Sequence, residues 1–513
     1  ARVSRASSED VDQAVRAACE AFEVTRWSPT AERAALCHRC AELIEQRQEA
    51  LTVELAQEHG KPLAEARAEI ATGAKGFRLA AEEVKRLDGY APQTEDPNKR
   101  VLVIRQALGV WAILTPWNYP FNIPIEYLGP ALATGSPFVW KPAPSTARIA
   151  VRLTELMLQA GAPDGAVNLL LTDSIEPARH LVAHPGIDAV GLTGGSATGA
   201  AVAQAAWDKH LLLELGGNGP VIVLDDADLD RALPAIAHAA WTNAGQVCSA
   251  AGRLLVAGRV ADDLAERVAR HAGGLLLSDP LDPRVQMGPV HVEAVAGKMD
   301  QHIQDATRRG ATVLAGGERA PGHPTRLFYQ PTVLDHVPLD ALVNTEETFG
   351  PIAPIVRLED DNELLAVANR SRYGLVAAVF TSSLTRAFRF AERLESGSVV
   401  VNDTSNYWEL HLPFGGRARC SSAFRSPPHS APISSPRATR PCRATTAGAS
   451  RQPASRSRGT NAASTAGACP WAARAESPSA TTNTASTPSG AATAASAARE
   501  AGSSRRPRSG RWR

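Results

Sequence analysis

The stretch Ala189-Val190-Gly191-Leu192-Thr193-Gly194-Gly195-Ser196-Ala197-Thr198-Gly199 decides how this chain folds. A short apolar run stops at two glycines, and a helical pattern from Ala197 to Trp207 follows. A strand that turns on glycine into a helix is the repeating phrase of an α/β sheet. The same phrase recurs upstream. Gly109-Val110-Trp111-Ala112-Ile113-Leu114 reads as a buried strand, and Pro137-Phe138-Val139-Trp140 as a short one ending at Lys141. Ala147 to Ala160 reads as a helix closed by Gly161, and Ala166 to Leu171 as a strand. A second set follows Glu214: strands at 220–224, 254–256, 311–314, 354–358, 377–380 and 398–402, with a helix from Leu229 to Trp241. The alternation predicts two α/β domains, each a largely parallel sheet with helices on both faces.

Before the first strand, residues 8–58 read as amphipathic helices. Ser8-Glu9-Asp10 opens the first, and Val11, Ala14, Val15 and Ala18 form its apolar stripe. His59-Gly60-Lys61-Pro62 is a helix stop, and Leu63 to Lys85 resumes the pattern. Asp96-Pro97-Asn98 turns the chain into Val101-Leu102-Val103-Ile104-Arg105, a β-like ribbon at 96–108. Cys37-His38-Arg39-Cys40 has the spacing of a metal half-site. It lies in a helical pattern with no second pair in the body of the chain, so it reads as ordinary helix surface and no metal is expected.

The chain has 513 residues, 44% hydrophobic and 21% charged, in the range of globular proteins. Its net charge of +1 conceals an uneven distribution. From residue 418 onward there are fifteen arginines against Glu476 and Glu500, which leaves the part before it acidic. An acidic body gives no electrostatic reason to bind nucleic acid. The longest uncharged run, Gln106 to Ile125, is broken by Pro116, Pro120 and Pro124, which speaks against a membrane span. The start shows no signal peptide. Seven cysteines without scaffold spacing suit a reducing compartment, and a cytoplasmic location is expected.

After Phe414-Gly415-Gly416 the character changes. From 418 onward Ala, Ser, Arg, Pro and Thr dominate, and Leu, Val, Met, Lys and Asp are missing. Such a segment buries too little apolar surface to offset its ordering entropy, so 418–513 is expected to be a disordered low-complexity tail. It reads as out-of-frame translation of a GC-rich gene in preference to a functional basic tail, because an orderly motif stops mid-phrase.

Several residues could carry chemistry. Trp241-Thr242-Asn243-Ala244-Gly245-Gln246-Val247-Cys248 sets one cysteine between a glycine-bearing segment and a returning strand. Taken alone, Cys248 is a small buried hydrophobe or a nucleophile. Glu214, in Leu213-Glu214-Leu215-Gly216-Gly217, is a solvated loop residue or a base. Asn118, after a buried strand, is a turn former or an oxyanion donor. Lys141 sits past the C-terminal end of a strand, where open α/β sheets place ligands, yet in isolation a solvated lysine is the better reading. Gly194 and Gly195 open a helix and fit the approach of a pyrophosphate, without matching the dinucleotide fingerprint.

Order and spacing join these signals. With Leu114 to Phe121, Lys141-Pro142, Gly245 to Cys248, Glu346-Glu347-Thr348-Phe349-Gly350-Pro351 and Pro413 to Gly416, residues 5–416 resemble the NAD(P)-dependent aldehyde dehydrogenase superfamily. The resemblance implies a Rossmann-like NAD(P)-binding domain at 1–95 and 109–216, a catalytic domain at 217–412, and an oligomerisation ribbon at 96–108 that pairs subunits into a homo-dimer or tetramer. It implies that the Cys248 thiolate attacks an aldehyde, that Asn118 holds the oxyanion, and that Glu214 activates water to hydrolyse a thioester. It places Trp117, Lys141, Gly194, Gly195, Glu347 and Phe349 against NAD or NADP. Gly217 to Pro220, Cys248 to Ala251 and Gly415 to Arg417 look like the phosphonoacetaldehyde, lactaldehyde and succinate-semialdehyde side of the family.

Two departures stand out. Pro144 occupies a position where many NAD-preferring members have glutamate, so NADP+ is expected to be tolerated. The segment after Gly416, whose last strand joins the ribbon in the family, is replaced. That leaves a catalytically impaired remnant as the alternative reading, with a nucleic-acid-binding tail as a third. Arg253 could anchor an anionic substrate, but a structural role is expected.

Overall fold

The apolar runs assemble into two sheets in the computed structural model, which describes residues 5–417 and the backbone of 439–441 and 445–446. The first sheet is five-stranded and parallel throughout. Its order is Val167–Leu169, Phe138–Lys141, Trp111–Leu114, Ala189–Thr193, His210–Glu214. The chain steps outward from the central Trp111–Leu114 strand, then returns to its other side. This places a topological switch point between the C-terminal ends of Trp111–Leu114 and Ala189–Thr193, where open α/β sheets bind ligands. Side chains alternate between two cores. Trp111, Ile113, Phe138 and Trp140 enter one, while Ala112, Leu114, Val139, Val190 and Leu192 enter the other. Burial of both faces is what a parallel sheet requires.

The second sheet has seven strands in the order Thr312–Ala315, Thr332–Asp335, Ile352–Leu358, Arg253–Ala257, Pro220–Val223, Val376–Phe380, Ser398–Val401. It is parallel except at the edge, where Thr312–Ala315 runs antiparallel to Thr332–Asp335. The chain leaves the first sheet at Glu214 and enters the second at Pro220. So short a crossing sets the C-terminal edge of one sheet against the N-terminal edge of the other.

The N-terminal helices are Ser8–Thr25, Thr30–Gln46, Gln48–His59 and Leu63–Glu83. The first starts at Ser8, as its sequence suggests, with Ser7 as the cap that closes a capping box with Asp10. Gly60, at φ +96°, ends the third. Cys37 and Cys40 correct an expectation. They are wholly buried rather than on a helix surface, since 37, 40, 41 and 44 share the apolar stripe of Thr30–Gln46.

Among the elements that escape a reading by pattern are the strands His210–Glu214 and Thr332–Asp335, the helices Ile175–Ala183, Gly258–Gly273, Glu293–Arg308, Asp361–Asn369 and Leu384–Arg393, and, beside the site, the helix Asn122–Thr134. The helix carries Pro124 in its first turn, where no intrahelical N–H bond is lost, and Pro130 in its interior. In the ribbon, Val101–Leu102 pairs antiparallel with Thr445–Thr446, and Arg105–Ala107 with Thr439–Pro441. Those five residues of the span read as a disordered tail therefore satisfy an open strand edge. The rest of 418–513 lies outside the described residues. Among the described residues no helix is long and apolar enough to cross a membrane.

Candidate active site

Five segments meet where the sheet edges face each other. The loop after Trp111–Leu114 carries Trp117 and Asn118, and a buried ion pair fixes it from below. Lys61 and Glu69, both with fully buried side chains, lie 2.5 Å apart. Glu69 Oε1 accepts the N–H groups of Phe121 (2.8 Å) and Asn122 (3.2 Å), while Lys61 Nζ donates to the Asn118 carbonyl at 2.9 Å. Lys61 also sits over the Tyr119 ring, 4.2 Å from its centroid. So held, Asn118 donates through Nδ2 to the Gln246 carbonyl at 3.0 Å, two residues before Cys248.

The cysteine loop stores strain. After the helix Leu229–Trp241, Asn243, Ala244 and Gly245 all take left-handed conformations, with φ of 52°, 52° and 70°. For a residue with a side chain that costs about 1–2 kcal/mol. Hydrogen bonds hold it. Glu65 accepts the Asn243 N–H at 2.9 Å, Asn243 Nδ2 donates to the Asn118 carbonyl at 2.9 Å, and the His291 N–H donates to Gln246 Oε1 at 2.7 Å. A side chain at Gly245 would strike the Gly350 carbonyl, 2.1 Å from an added Cβ, so the Glu346–Pro351 segment packs directly on this loop.

The crossing segment completes the site. A Cβ at Gly217 would fall 2.1 Å from the Cys248 carbonyl oxygen, and the Gly217 N–H donates to Glu347 Oε1 at 2.8 Å. The Glu214 carbonyl accepts the Gly194 N–H at 3.0 Å. The half-buried Cys248 packs beside Leu375, Val376 and Phe414. Trp117 meets Phe349 edge-on, with centroids 5.6 Å apart and planes at 83°, and stacks on His291 at 4.9 Å. Phe349 itself is left-handed, at φ 60°. The fold thus gathers Cys248, Glu214, Asn118, Trp117, Glu347 and Phe349 from sequence segments more than two hundred residues apart.

The electrostatics set the state from which Cys248 starts. Burial pushes the Cys248 thiol far up, and the charges of Glu347, Glu214 and Glu126 push it further. Its resting form is the protonated thiol, so the attacking thiolate has to be generated. Desolvation also raises Glu347 to about 7, against the Gly217 hydrogen bond and the charges of Lys298 and Arg372.

At the switch point, Gly195 precedes the helix Ser196–Ala205, and nothing lies within 4 Å of where its Cβ would be. No acidic residue stands in that first turn. Open space beside free helix N–H groups fits a dinucleotide pyrophosphate. Lys141 ends the neighbouring strand and is held below the usual lysine range by burial, against the pull of Asp173. These residues suit NAD or NADP.

Arg253 plays no part in an anion site. Its guanidinium is 2% exposed and donates to the carbonyls of Asn218, Val367 and Ala368. Among the described residues, one other set of metal-ligand types converges: Asp12, His180 and His184. There the Gly186 N–H donates to His184 Nδ1, which leaves the ring proton on Nε2, facing Asp12, where a metal would have to bind.

Lys61, Glu65, Glu69, Asn243, Gln246 and Glu126 were not singled out by sequence, though two left signals. Glu69 falls on the apolar stripe Ala66, Ile70, Gly73, Phe77 of its helix, and Glu126 is the charge that ends the uncharged run after Gln106.

A glycine-opened helix at the switch point of a parallel sheet, facing a cysteine loop on a second sheet, defines the class: a dinucleotide-dependent α/β oxidoreductase. The model of the aldehyde dehydrogenase family matches residues 1–424, and the chain belongs to that family. It is 38% identical to the succinate-semialdehyde dehydrogenase [NADP(+)] GabD of Escherichia coli over 81% of this chain and 86% of the relative. With the glutarate-semialdehyde dehydrogenase of Pseudomonas putida it shares 37% over the same fractions. The crystal structure of an NADP-dependent enzyme from E. coli superposes with a TM-score of 0.80 at 37% identity, covering 82% of this chain and 87% of that one.

Proposed function

We propose that this aldehyde dehydrogenase works through Cys248, Glu214 and Asn118, with NAD or NADP as hydride acceptor. The observation that carries the reading is the close approach of Gly217 to the Cys248 carbonyl, which ties the Glu214 segment to the cysteine. Because the resting thiol is protonated, the first event is loss of its proton to solvent, which leaves Glu214 unprotonated for the later hydrolysis. The sulfur then adds to the aldehyde carbon. Asn118 Nδ2, whose second N–H remains beyond the bond to Gln246, and the Cys248 backbone N–H stabilise the resulting oxyanion. NAD(P)+, when bound, supplies the hydride acceptor that turns the adduct into a thioester. Glu214 takes a proton from water, hydroxide adds to the thioester carbon, and the C–S bond breaks to release the acid.

In this reading Gly194, Gly195 and Lys141 hold the phosphates and ribose, and Trp117, Glu347 and Phe349 hold the nicotinamide end. Residues 1–95 and 109–216 serve the cofactor, 217–412 the chemistry, and the ribbon at 96–108 the assembly of a homo-dimer or tetramer. Pro144 places no carboxylate near the adenosine ribose, which favours acceptance of NADP+; steady-state kinetics with both cofactors tests it, and turnover with NAD+ alone would refute it.

Stopped-flow absorbance of reduced cofactor tests the roles. Cys248→Ala abolishes its formation. Glu214→Gln keeps a burst of one equivalent and slows later turnovers by roughly 10²–10⁴-fold. An unaltered steady state in Glu214→Gln would remove Glu214 from the hydrolysis.

A further inference from the structure

His291 has no task in the reaction above, yet it touches both halves of the site. It lies just before the helix Glu293–Arg308. Its ring is the middle one of a stack. His59 lies on one side, with centroids 4.8 Å apart and planes at 11°, and Trp117 on the other, at 4.9 Å and 24°. Trp117 in turn meets Phe349 edge-on. Both ring nitrogens of His291 are used. Nδ1 donates to the His59 carbonyl at 3.0 Å, so Nε2 is left to accept the Ser145 hydroxyl at 2.8 Å. Ser145 lies in the turn Pro144–Thr146, just after the strand that ends at Lys141. The main-chain N–H of the same histidine donates to Gln246 Oε1, in the cysteine loop, at 2.7 Å.

A side chain that only filled space would not need this arrangement. Stacking sets the separation of two rings but lets them slide, whereas hydrogen bonds from opposite sides also fix His291 within its own plane. The foot of the stack is firm. His59 is 3% exposed and closes the helix Gln48–His59 just before the left-handed Gly60. Its two buried ring nitrogens have no hydrogen-bond partner among the described residues, so the ring is held by packing. Burial, with the charge of Lys61, keeps both imidazoles below the usual histidine range, and both rings are neutral near neutral pH. A neutral stack puts no positive charge behind Trp117, where one would repel the cationic ring of an oxidised nicotinamide.

We propose that His291 is a positioning residue for hydride transfer: its ring sets the plane of Trp117 against Phe349, and with it the seat of the nicotinamide, independently of the hold its main chain keeps on the Cys248 loop. The inference rests on the reading that Trp117 and Phe349 hold the nicotinamide end. Full-length wild type is compared with His291→Ala, His291→Phe and Ser145→Ala. In fluorescence titrations with NADH and NADPH, His291→Ala binds more weakly by roughly three- to tenfold, the weight of one aromatic stack. His291→Phe, which restores the stack without its hydrogen bonds, recovers most of that loss, and Ser145→Ala loses less. The burst of reduced cofactor slows in the same order. Alkylation of Cys248 by iodoacetamide without cofactor, followed by mass spectrometry, keeps its wild-type rate throughout, because the main-chain N–H to Gln246 survives each change. A general loosening of the fold would disturb alkylation and binding together. In the His291→Phe background Ser145→Ala changes binding no further, since a phenyl ring accepts no bond from the hydroxyl. Should His291→Ala not fold, that pair of variants decides. Unaltered cofactor binding in His291→Ala or Ser145→Ala, no recovery in His291→Phe, alkylation disturbed as strongly as binding, or a full Ser145→Ala loss in the His291→Phe background overturns the inference. A wild type that binds neither reduced cofactor refutes the nicotinamide reading itself, and the inference with it.

Discussion

Glu69 and Glu126 are the same side chain placed on two sides of one loop, and they are treated in opposite ways. Glu69 receives a lysine and two backbone N–H groups, so its charge is fully answered within the chain. Glu126 receives one neutral amide. The first arrangement is a fastener: its energy goes into the position of Asn118. The second leaves a protonated carboxyl, which burial and the charge of Glu214 push up to about 8. The difference between a charged and a neutral buried carboxyl here lies in the number of donors, not in residue type or burial alone.

The largest effect comes from breaking the fastener. Lys61→Met leaves Glu69 buried and unpaired, and should cost about 3–5 kcal/mol of stability in chemical denaturation. Adding Glu69→Leu should restore most of that stability while kcat stays low, because Asn118 has lost its carbonyl anchor. Recovery of activity in the double variant would show that the pair does not position the loop.

Glu126 predicts the reverse sign. Its carboxyl is neutral in the fold up to about pH 8, whereas the ordinary glutamate value is 4.5, so the folded chain binds more protons between those limits. The stability this gives is complete below pH 4.5 and drains away as pH rises toward 8. Glu126→Gln should flatten that slope and raise stability at neutral pH by about 0.5–2 kcal/mol, measured by denaturation across pH. Glu347, raised to about 7, leaves a residual slope of the same sign. The smallest effect belongs to a charge pair that water already serves. Arg67→Ala, which deletes an exposed bridge to Glu49 at 2.8 Å, should change stability by less than about 1 kcal/mol.

Most of the architecture was legible because strands such as Trp111–Leu114 and Val376–Phe380 are unbroken apolar runs between turn residues. His210–Glu214 was not, since three leucines between charged or polar ends are too short a run to separate from a loop. Thr332–Asp335 follows Pro331 and shows the same brevity. The helix Asn122–Thr134 hid behind its prolines. At the site, Cys248, Glu214 and Asn118 stood out through the order of their motifs. Lys61 did not, because its partner Glu69 and its target Asn118 are distant in sequence, and only folding shows that a lysine in a helix stop is buried. The protonated resting thiol was likewise hidden: it follows from burial and from three carboxylates brought together in space.

The contact between Gly217 and the Cys248 carbonyl also bears on how such a protein can change. An added Cβ would lie 2.1 Å from that oxygen, a distance no rotamer can relieve because both atoms are fixed to the main chain. A library randomised at 217 should therefore return glycine alone, whatever aldehyde is selected for. The two sheets are free to diversify their helices and rims, but not to drift apart from one another at this point. In evolutionary terms the molecule is two modules sharing one immovable letter.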